Sequence, residues 1–502
     1  MEVAGREITK YSVALLTIVL IGLLVRVYHL GTQSIWLDEA FSVALAKMTV
    51  PQMVQATAAD AHPPLYYFLL HYWIIVFGTS ESAVRLLSVL FGVLAIPMIY
   101  VVGRQLFNRE AGLVGALILA LSSFNIYYSQ ETRMYSLMAL LALLSMYFFW
   151  RFLQQSNLVS LVGYILSTTL LVYTHYYGWF VVIAQNIYVV TLLVLSKHRA
   201  YRLREWAVLQ AIVVALFVPW MVVLVNQIFR RAALLAPPTA DILIYTFSSY
   251  SGAFTSYSGK ALLLAVFLLL SVLSLFAYQK VRGVMDWKAP LKALESYSWE
   301  VRFQDPTTVY FLLVWLLSII MIPFVISRFV SNPIYQALYT IAASVAFYLL
   351  VARGILNING RYTKLAVMGI VVVLSVANLQ AYYSSITKPQ AREAISLIDA
   401  NANSGDVVLV SPSYQSYEWN YYNNRTDVAV KLLDSLGATP SNDSREIQIK
   451  EIQSDVLGND RVWFLESTSG ANFTLSVLNQ SHANTYIKSY YGYRVYLFEK
   501  RA

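Results

Sequence analysis

The sequence predicts a mainly helical, polytopic membrane protein with about 11 transmembrane helices and a small C-terminal extracytoplasmic α/β domain. Three observations lead there. Of 502 residues, 58% are hydrophobic and only 13% charged, about half the charged share of a soluble domain. Apolar runs of roughly 17–22 residues recur along the chain, each enough to cross a ~30 Å hydrocarbon core. From about Thr387 these runs stop, and short strand-type and helix-type segments alternate instead.

In chain order, the spans are expected at 11–28, 84–102, 111–127, 134–152, 158–174, 177–196, 206–226, 261–279, 307–326, 334–352 and 364–383. The first run is too long for a removed signal peptide and has no small-residue cleavage site, so it reads as an anchor. The segment Pro63–Gly78 is short, starts with Pro-Pro and carries His71. Orientation decides how to place it, because Lys and Arg accumulate in short cytoplasmic loops. If it lies along the membrane surface and the N-terminus is cytoplasmic, the inner loops collect most of the basic residues. Among these are Arg104, Arg109, Arg151, Lys197, Arg199, Arg202, Arg204, Arg282, Lys288, Lys292, Arg353 and Arg361. Letting it cross reverses most of that bias. The surface placement puts the loop at 29–83, the loop at 128–133, the turn near His175, the stretch 227–260 and the turn at Arg328 on the outer face.

Residues 1–386 therefore form the membrane domain and 387–502 a soluble one. In the latter, Gln390–Ala400 has helical periodicity. Asp406–Ser411, Arg461–Glu466 and Tyr493–Phe498 read as strands of a small layered α/β domain. The acceptor sequons Asn424, Asn442, Asn472 and Asn479 all fall there, in keeping with an extracytoplasmic location.

Several function classes recede. The net charge of +9 sits in loops between spans, which does not point to nucleic acid. Cysteine is absent, so there is no disulfide framework and no thiolate metal site. No Gly-rich phosphate loop opens a helix, which argues against an ATP-driven pump. A secondary transporter remains the alternative, although such proteins show internal repeats and polar sites near the bilayer midplane, and neither is visible here.

The chemistry-bearing residues collect in the outer loops. Asp38 and Glu39 are adjacent acids just beyond the first span. Charge near hydrocarbon is expensive to hold, and one acid would suffice to cap a helix, so the pair reads as a working site. Asp60-Ala61-His62-Pro63-Pro64 can position a base or a cation, while Asp60 can equally cap the following helix. In the short loop Gln130-Glu131-Thr132-Arg133-Met134-Tyr135, Arg133 suits a phosphate, or forms an interfacial ion pair with Glu131. His175 stands at a span end among aromatics, as a functional or a snorkelling group. Arg328, in a tight outer turn, is a phosphate ligand or an interfacial anchor.

Together these residues resemble the GT-C type membrane glycosyltransferases, on the branch of protein O-mannosyltransferases and lipid A aminoarabinose transferases. Asp38-Glu39, His62-Pro63-Pro64-Leu65, Arg85-Leu86 and Gln130–Tyr135 carry the resemblance, and Arg328-Phe329 is similar to the family's Arg-Tyr turn. It is strong over about 1–200, thinner to 385 and only architectural beyond. It implies inverting transfer of mannose or a related hexose from a polyprenyl-phosphate or dolichyl-phosphate carrier to a protein, glycan or lipid acceptor outside the cytoplasm. By that analogy Asp38 is the general base, and Glu39 orients the acceptor or raises the basicity of Asp38. Arg328 and Arg133 stabilise the departing phosphate, with Arg85 behind them. Asp60, His62, Glu131, His175 and Tyr135 are substrate contacts. A divalent cation on Asp60, His62, Glu131 and His175 is chemically open, since the family is not uniformly metal-dependent.

Overall fold

Apolar runs without water around them must satisfy every backbone group internally, which favours helices. The computed structural model describes residues 2–195, 202–230, 236–252, 259–280, 299–303, 306–434, 442–456, 458–467 and 472–501. The helices in order are α1 (Glu2–Val27), α2 (Leu37–Lys47), α3 (Val50–Ala59), α4 (Leu65–Phe77), α5 (Glu81–Leu106), α6 (Arg109–Leu121) and α7 (Ser123–Ser129). There follow α8 (Tyr135–Gln154), α9 (Leu158–Thr174), α10 (Gly178–Leu195), α11 (Leu203–Arg230), α12 (Asp241–Ser251) and α13 (Gly259–Leu273). A ribbon of β1 (Phe276–Lys280) and β2 (Trp299–Phe303) precedes α14 (Pro306–Phe329), α15 (Ile341–Asn357) and α16 (Arg361–Tyr383). The remainder is α17 (Ala391–Asn401), β3 (Val407–Ser411), α18 (Ser416–Tyr422), β4 (Ala429–Leu432), α19 (Asn442–Val456), β5 (Arg461–Ser467), α20 (Asn472–Ser481), β6 (His482–Tyr490) and β7 (Tyr493–Lys500).

Among the described residues, eight helices are long and apolar enough to cross a membrane, or nine if one bent pair counts as a single span. Each of the eleven expected spans coincides with a helix, but two depart from the expected form. The 111–127 run breaks at Ser122 into α6 and α7, bent by 60°, because the Ser122 hydroxyl caps α7 by accepting from the Asn125 amide. The carbonyls freed at the end of α6 are taken up by a buried arginine. Arg26 donates to Leu119 and Ala120 carbonyls at 3.1 Å and to Ser129 Oγ at 3.2 Å. The 261–279 run gives a shorter helix that ends at Leu273, before residues 276–280 turn into strand, whereas the 158–174 run gives the 17-residue α9 with the expected bounds. Pro63–Gly78 becomes the 13-residue α4, about 20 Å long and short of a ~30 Å core. The basic residues Lys197, Arg199, Arg282, Lys288 and Lys292 lie outside the described residues.

The chain divides into two compact units. The first comprises Met1–Tyr28, Thr49–Trp73 and Arg85–Ser385. Its centre is α15, buried over nearly its whole length. Gly354 lets α15 meet α13, since a Cβ there would lie 1.8 Å from the Leu270 carbonyl oxygen.

The second unit comprises His29–Met48, Ile74–Val84 and Ile386–Ala502. Its sheet has the order β4-β3-β5-β7-β6, parallel from β4 to β5 and antiparallel at β7 and β6. Alternate residues face opposite sides. Val408, Val410, Trp463 and Val495 pack with Ile395, Ile398 and Trp419, while Val407, Leu409, Phe464 and Phe498 pack with Ile452 and Leu478. The loop segments join this unit by hydrogen bonds. Gln33 Oε1 accepts from the amides of Thr387 (2.9 Å) and Lys388 (3.0 Å), and Arg392 Nη1 reaches Glu81 at 2.6 Å.

Candidate active site

In the second unit the acid pair opens α2, where two carboxylates in the first turn complement the helix dipole. The two acids are held differently. Glu39 is 0% exposed and ion-paired with Lys388 Nζ at 3.2 Å, itself only 3% exposed. Asp38 is half-buried, and its backbone carbonyl accepts from Ser42 Oγ at 2.7 Å. A third carboxylate, Glu418, comes from α18, which packs on α2 with Phe41 against the Tyr417 ring at 5.1 Å. Glu418 is 1% exposed. Burial pushes its pKa up to about 8; the Tyr493 hydroxyl opposes that rise by hydrogen bonding, and the charges of Asp38 and Glu39 add to it. Three carboxylates and one lysine thus share the start of α2, and Glu418 keeps its proton at neutral pH.

Sequence reasoning missed Lys388 and Glu418. Each is a lone charge in a segment of soluble-domain character, and only folding brings it beside α2.

In the first unit a second cluster forms around the loop at 130–135. Ser88 Oγ, one turn beyond Arg85 on α5, donates to the Arg133 carbonyl at 3.1 Å and meets the Tyr66 hydroxyl at 2.8 Å. Arg133 Nη1 donates to the Tyr67 hydroxyl at 3.3 Å. The His62-Pro63-Pro64-Leu65 segment, the head of α5 and the Arg133 loop are thereby tied together. Arg85 and Arg133 are both buried.

Next to them lies an aromatic group. The His62 and His175 rings are 5.0 Å apart, and Tyr339 lies 4.7 Å from His175 and 6.0 Å from His62. Tyr135 stacks on Tyr339 at 6.3 Å. Tyr339, from the 3₁₀ turn Ala337–Thr340, carries no sequence signal that separates it from the many interfacial tyrosines.

The cation set is not assembled. Among the described residues, no three His, Asp or Glu side chains come together as a metal-binding group. Asp60 ends α3 as its C-cap, and Glu131 lies buried beside Tyr127 and Tyr128. Arg328 is exposed and donates from Nη1 to the Pro238 carbonyl at 3.1 Å. Its turn is shaped by Ser327 Oγ, which accepts from the amides of Ile334 and Tyr335 at 2.9 Å each. Pro238 also lines a largely apolar cavity of about 590 Å³ with Phe124, Tyr128, Tyr245, Tyr335 and Leu338.

Residues 61–225 match a family model described as dolichyl-phosphate-mannose-protein mannosyltransferase. No curated protein matches the chain. Among solved structures it is similar to ArnT from Cupriavidus metallidurans in the apo state, with a TM-score of 0.59, 11% identity, and 96% of this chain and 97% of that one covered. The same protein bound to undecaprenyl phosphate gives a TM-score of 0.60 at 12% identity, over the same shares. The Archaeoglobus fulgidus oligosaccharyltransferase in the apo form gives 0.56 at 12% identity, covering 91% of this chain and 69% of that one.

Proposed function

We propose that this integral membrane protein, whose fold is that of the ArnT-like GT-C glycosyltransferases, moves a hexose from a polyprenyl-phosphate carrier to an acceptor hydroxyl outside the cytoplasm, with inversion. The family match and the two solved enzymes support the reaction class. The observation that carries the residue assignment is the inequality of the acid pair. Glu39 is buried against Lys388, whereas Asp38 sits half-buried in the first turn of α2.

In this reading the Asp38 carboxylate takes the acceptor O–H proton as the oxygen bonds to the anomeric carbon. The bond from that carbon to the phosphate oxygen breaks, and its electron pair leaves with the polyprenyl phosphate. Inversion follows because attack and departure occur on opposite faces. Glu39, fixed by Lys388, holds the first turn of α2 in which Asp38 stands. Arg133 and Arg328 offer planar, permanently charged forks for the departing phosphate. Arg328 donates to the carbonyl of Pro238, a residue that also lines an apolar cavity, a combination suited to a lipid phosphate.

The test incubates purified protein in sealed proteoliposomes with polyprenyl-phosphate mannose, glucose or aminoarabinose and candidate acceptors, with products identified by mass spectrometry. A new glycosidic product and free polyprenyl phosphate are expected. Movement of the carrier across a bilayer without any covalent product would replace the transferase reading with transport.

A further inference from the structure

We infer that His175 is a fixed neutral hydrogen-bond donor, offering Nε2–H to a phosphate oxygen of the lipid carrier beside Arg133, and is not a metal ligand. The inference rests on the carrier reading above and assigns one more residue to it.

The local fold fixes which nitrogen carries the proton. His175 is the C-cap of α9, its own amide donating to the Leu171 carbonyl at 3.1 Å. Its carbonyl accepts from the Gly178 amide at 2.9 Å, so the backbone is held on both sides. Within that turn the Tyr177 amide donates to Nδ1 at 3.1 Å. A nitrogen that accepts an N–H bond is using its lone pair and cannot itself carry hydrogen. The ring is therefore neutral, with its proton on Nε2. A metal bound through Nε2 would force the proton to Nδ1, against the Tyr177 N–H, and break that bond.

The donor so created lacks a protein partner. Nε2 is buried on a residue only 2% exposed and has no hydrogen-bond acceptor among the described residues. An unanswered buried donor costs about 1–3 kcal/mol, a cost that a ligand oxygen would remove. The neighbours specify what oxygen that is. The rings of Tyr339, His62 and Tyr135 supply apolar walls. Arg133, the charged group that acts on His175, supplies a permanent positive charge. A guanidinium within electrostatic reach of a neutral N–H donor matches an oxyanion, whereas a metal cation would be repelled by the arginine and a sugar hydroxyl would not need it.

The experiment uses the full chain in nanodiscs, with farnesyl phosphate and farnesol as probes. His175→Phe keeps a ring but has no donor; His175→Gln keeps an N–H at a similar reach. Farnesyl phosphate affinity should fall about 10- to 100-fold in His175→Phe, and within a few-fold in His175→Gln. Farnesol affinity should be equal in all three. Histidine-selective ¹⁵N spectra of the wild type should show the Nε2–H tautomer, unchanged on adding zinc chloride. Equal farnesyl phosphate affinity in His175→Phe, or an Nδ1–H tautomer that responds to zinc, would overturn the inference. Failure of the wild type to prefer farnesyl phosphate over farnesol would instead remove the carrier reading, and this one with it.

Discussion

Adjacent carboxylates look equivalent in a sequence, and folding makes them different. Glu39 is taken out of water and neutralised by Lys388, while Asp38 stays half-buried one residue earlier. A buried ion-paired acid is poorly placed to collect a proton from a substrate, because the lysine stabilises its charged form. Asp38→Asn keeps the shape and loses the basic oxygen. The expected loss in transfer rate is about 10²–10⁴-fold, with farnesyl phosphate affinity near wild type. Single-turnover rates on a monodisperse variant check this, and wild-type turnover would move the base to another carboxylate. The acid pair was legible because two charges at a membrane edge stand out against an apolar background. Lys388 and Tyr339 were not legible, since a lysine in a polar segment and a tyrosine among 37 tyrosines carry no such contrast.

At the scale of elements, α2 is held by residues some 350 positions away. Removing one partner of a buried ion pair leaves the other charged and unsolvated, at about 3–5 kcal/mol. Lys388→Met should therefore lower the melting temperature markedly, and adding Glu39→Gln should recover most of the loss. Equal stability of the single and double variants would show that the pair is not what holds α2.

The neighbouring Glu418 adds a pH dependence of definite sign. Its folded pKa, near 8, lies above the ordinary carboxylate value of 4.5, so the unfolded chain ionises first as pH rises. Its stabilising contribution is complete below about pH 4.5 and is lost as pH climbs through about 8. Glu418→Gln, which cannot ionise, should show a smaller fall in melting temperature between pH 5 and pH 8.5 than the wild type. Parallel curves would mean that Glu418 ionises alike in both states.

Legibility at this scale follows position in the sheet. The central strands β3, β5 and β7 are buried apolar runs and were readable. The edge strands β4 and β6 expose most of their residues, as in Ala-Val-Lys-Leu and His-Ala-Asn-Thr-Tyr-Ile-Lys-Ser-Tyr, and so lack the apolar signal. The break between α6 and α7 had a trace in the Ser122-Ser123 pair, but hydropathy alone smooths over a hydroxyl cap.

For the molecule as a whole, the proposed chemistry requires that the loops carrying the base and the phosphate ligands share a compartment. Hydropathy made the helices legible because bilayer thickness imposes their length. Two of the eleven runs fell short of a simple span because capping and strand formation act below the resolution of that signal. Orientation rests on basic residues instead. With α4 lying flat, the acid pair, the Arg133 loop, His175, Arg328 and the C-terminal sheet all face outward. If α4 crossed, α5 and every later helix would reverse, and the acid pair would be parted from Arg133 and His175 by the bilayer. A chain without cysteine makes this directly measurable. Cysteine introduced at Ser404, exposed in the turn before β3, should react in intact cells with a membrane-impermeant maleimide. Cysteine at Gln155, exposed between α8 and α9, should react only after permeabilisation. Labelling of Gln155→Cys from outside would reverse the orientation and dissolve the proposed grouping of base and phosphate ligands.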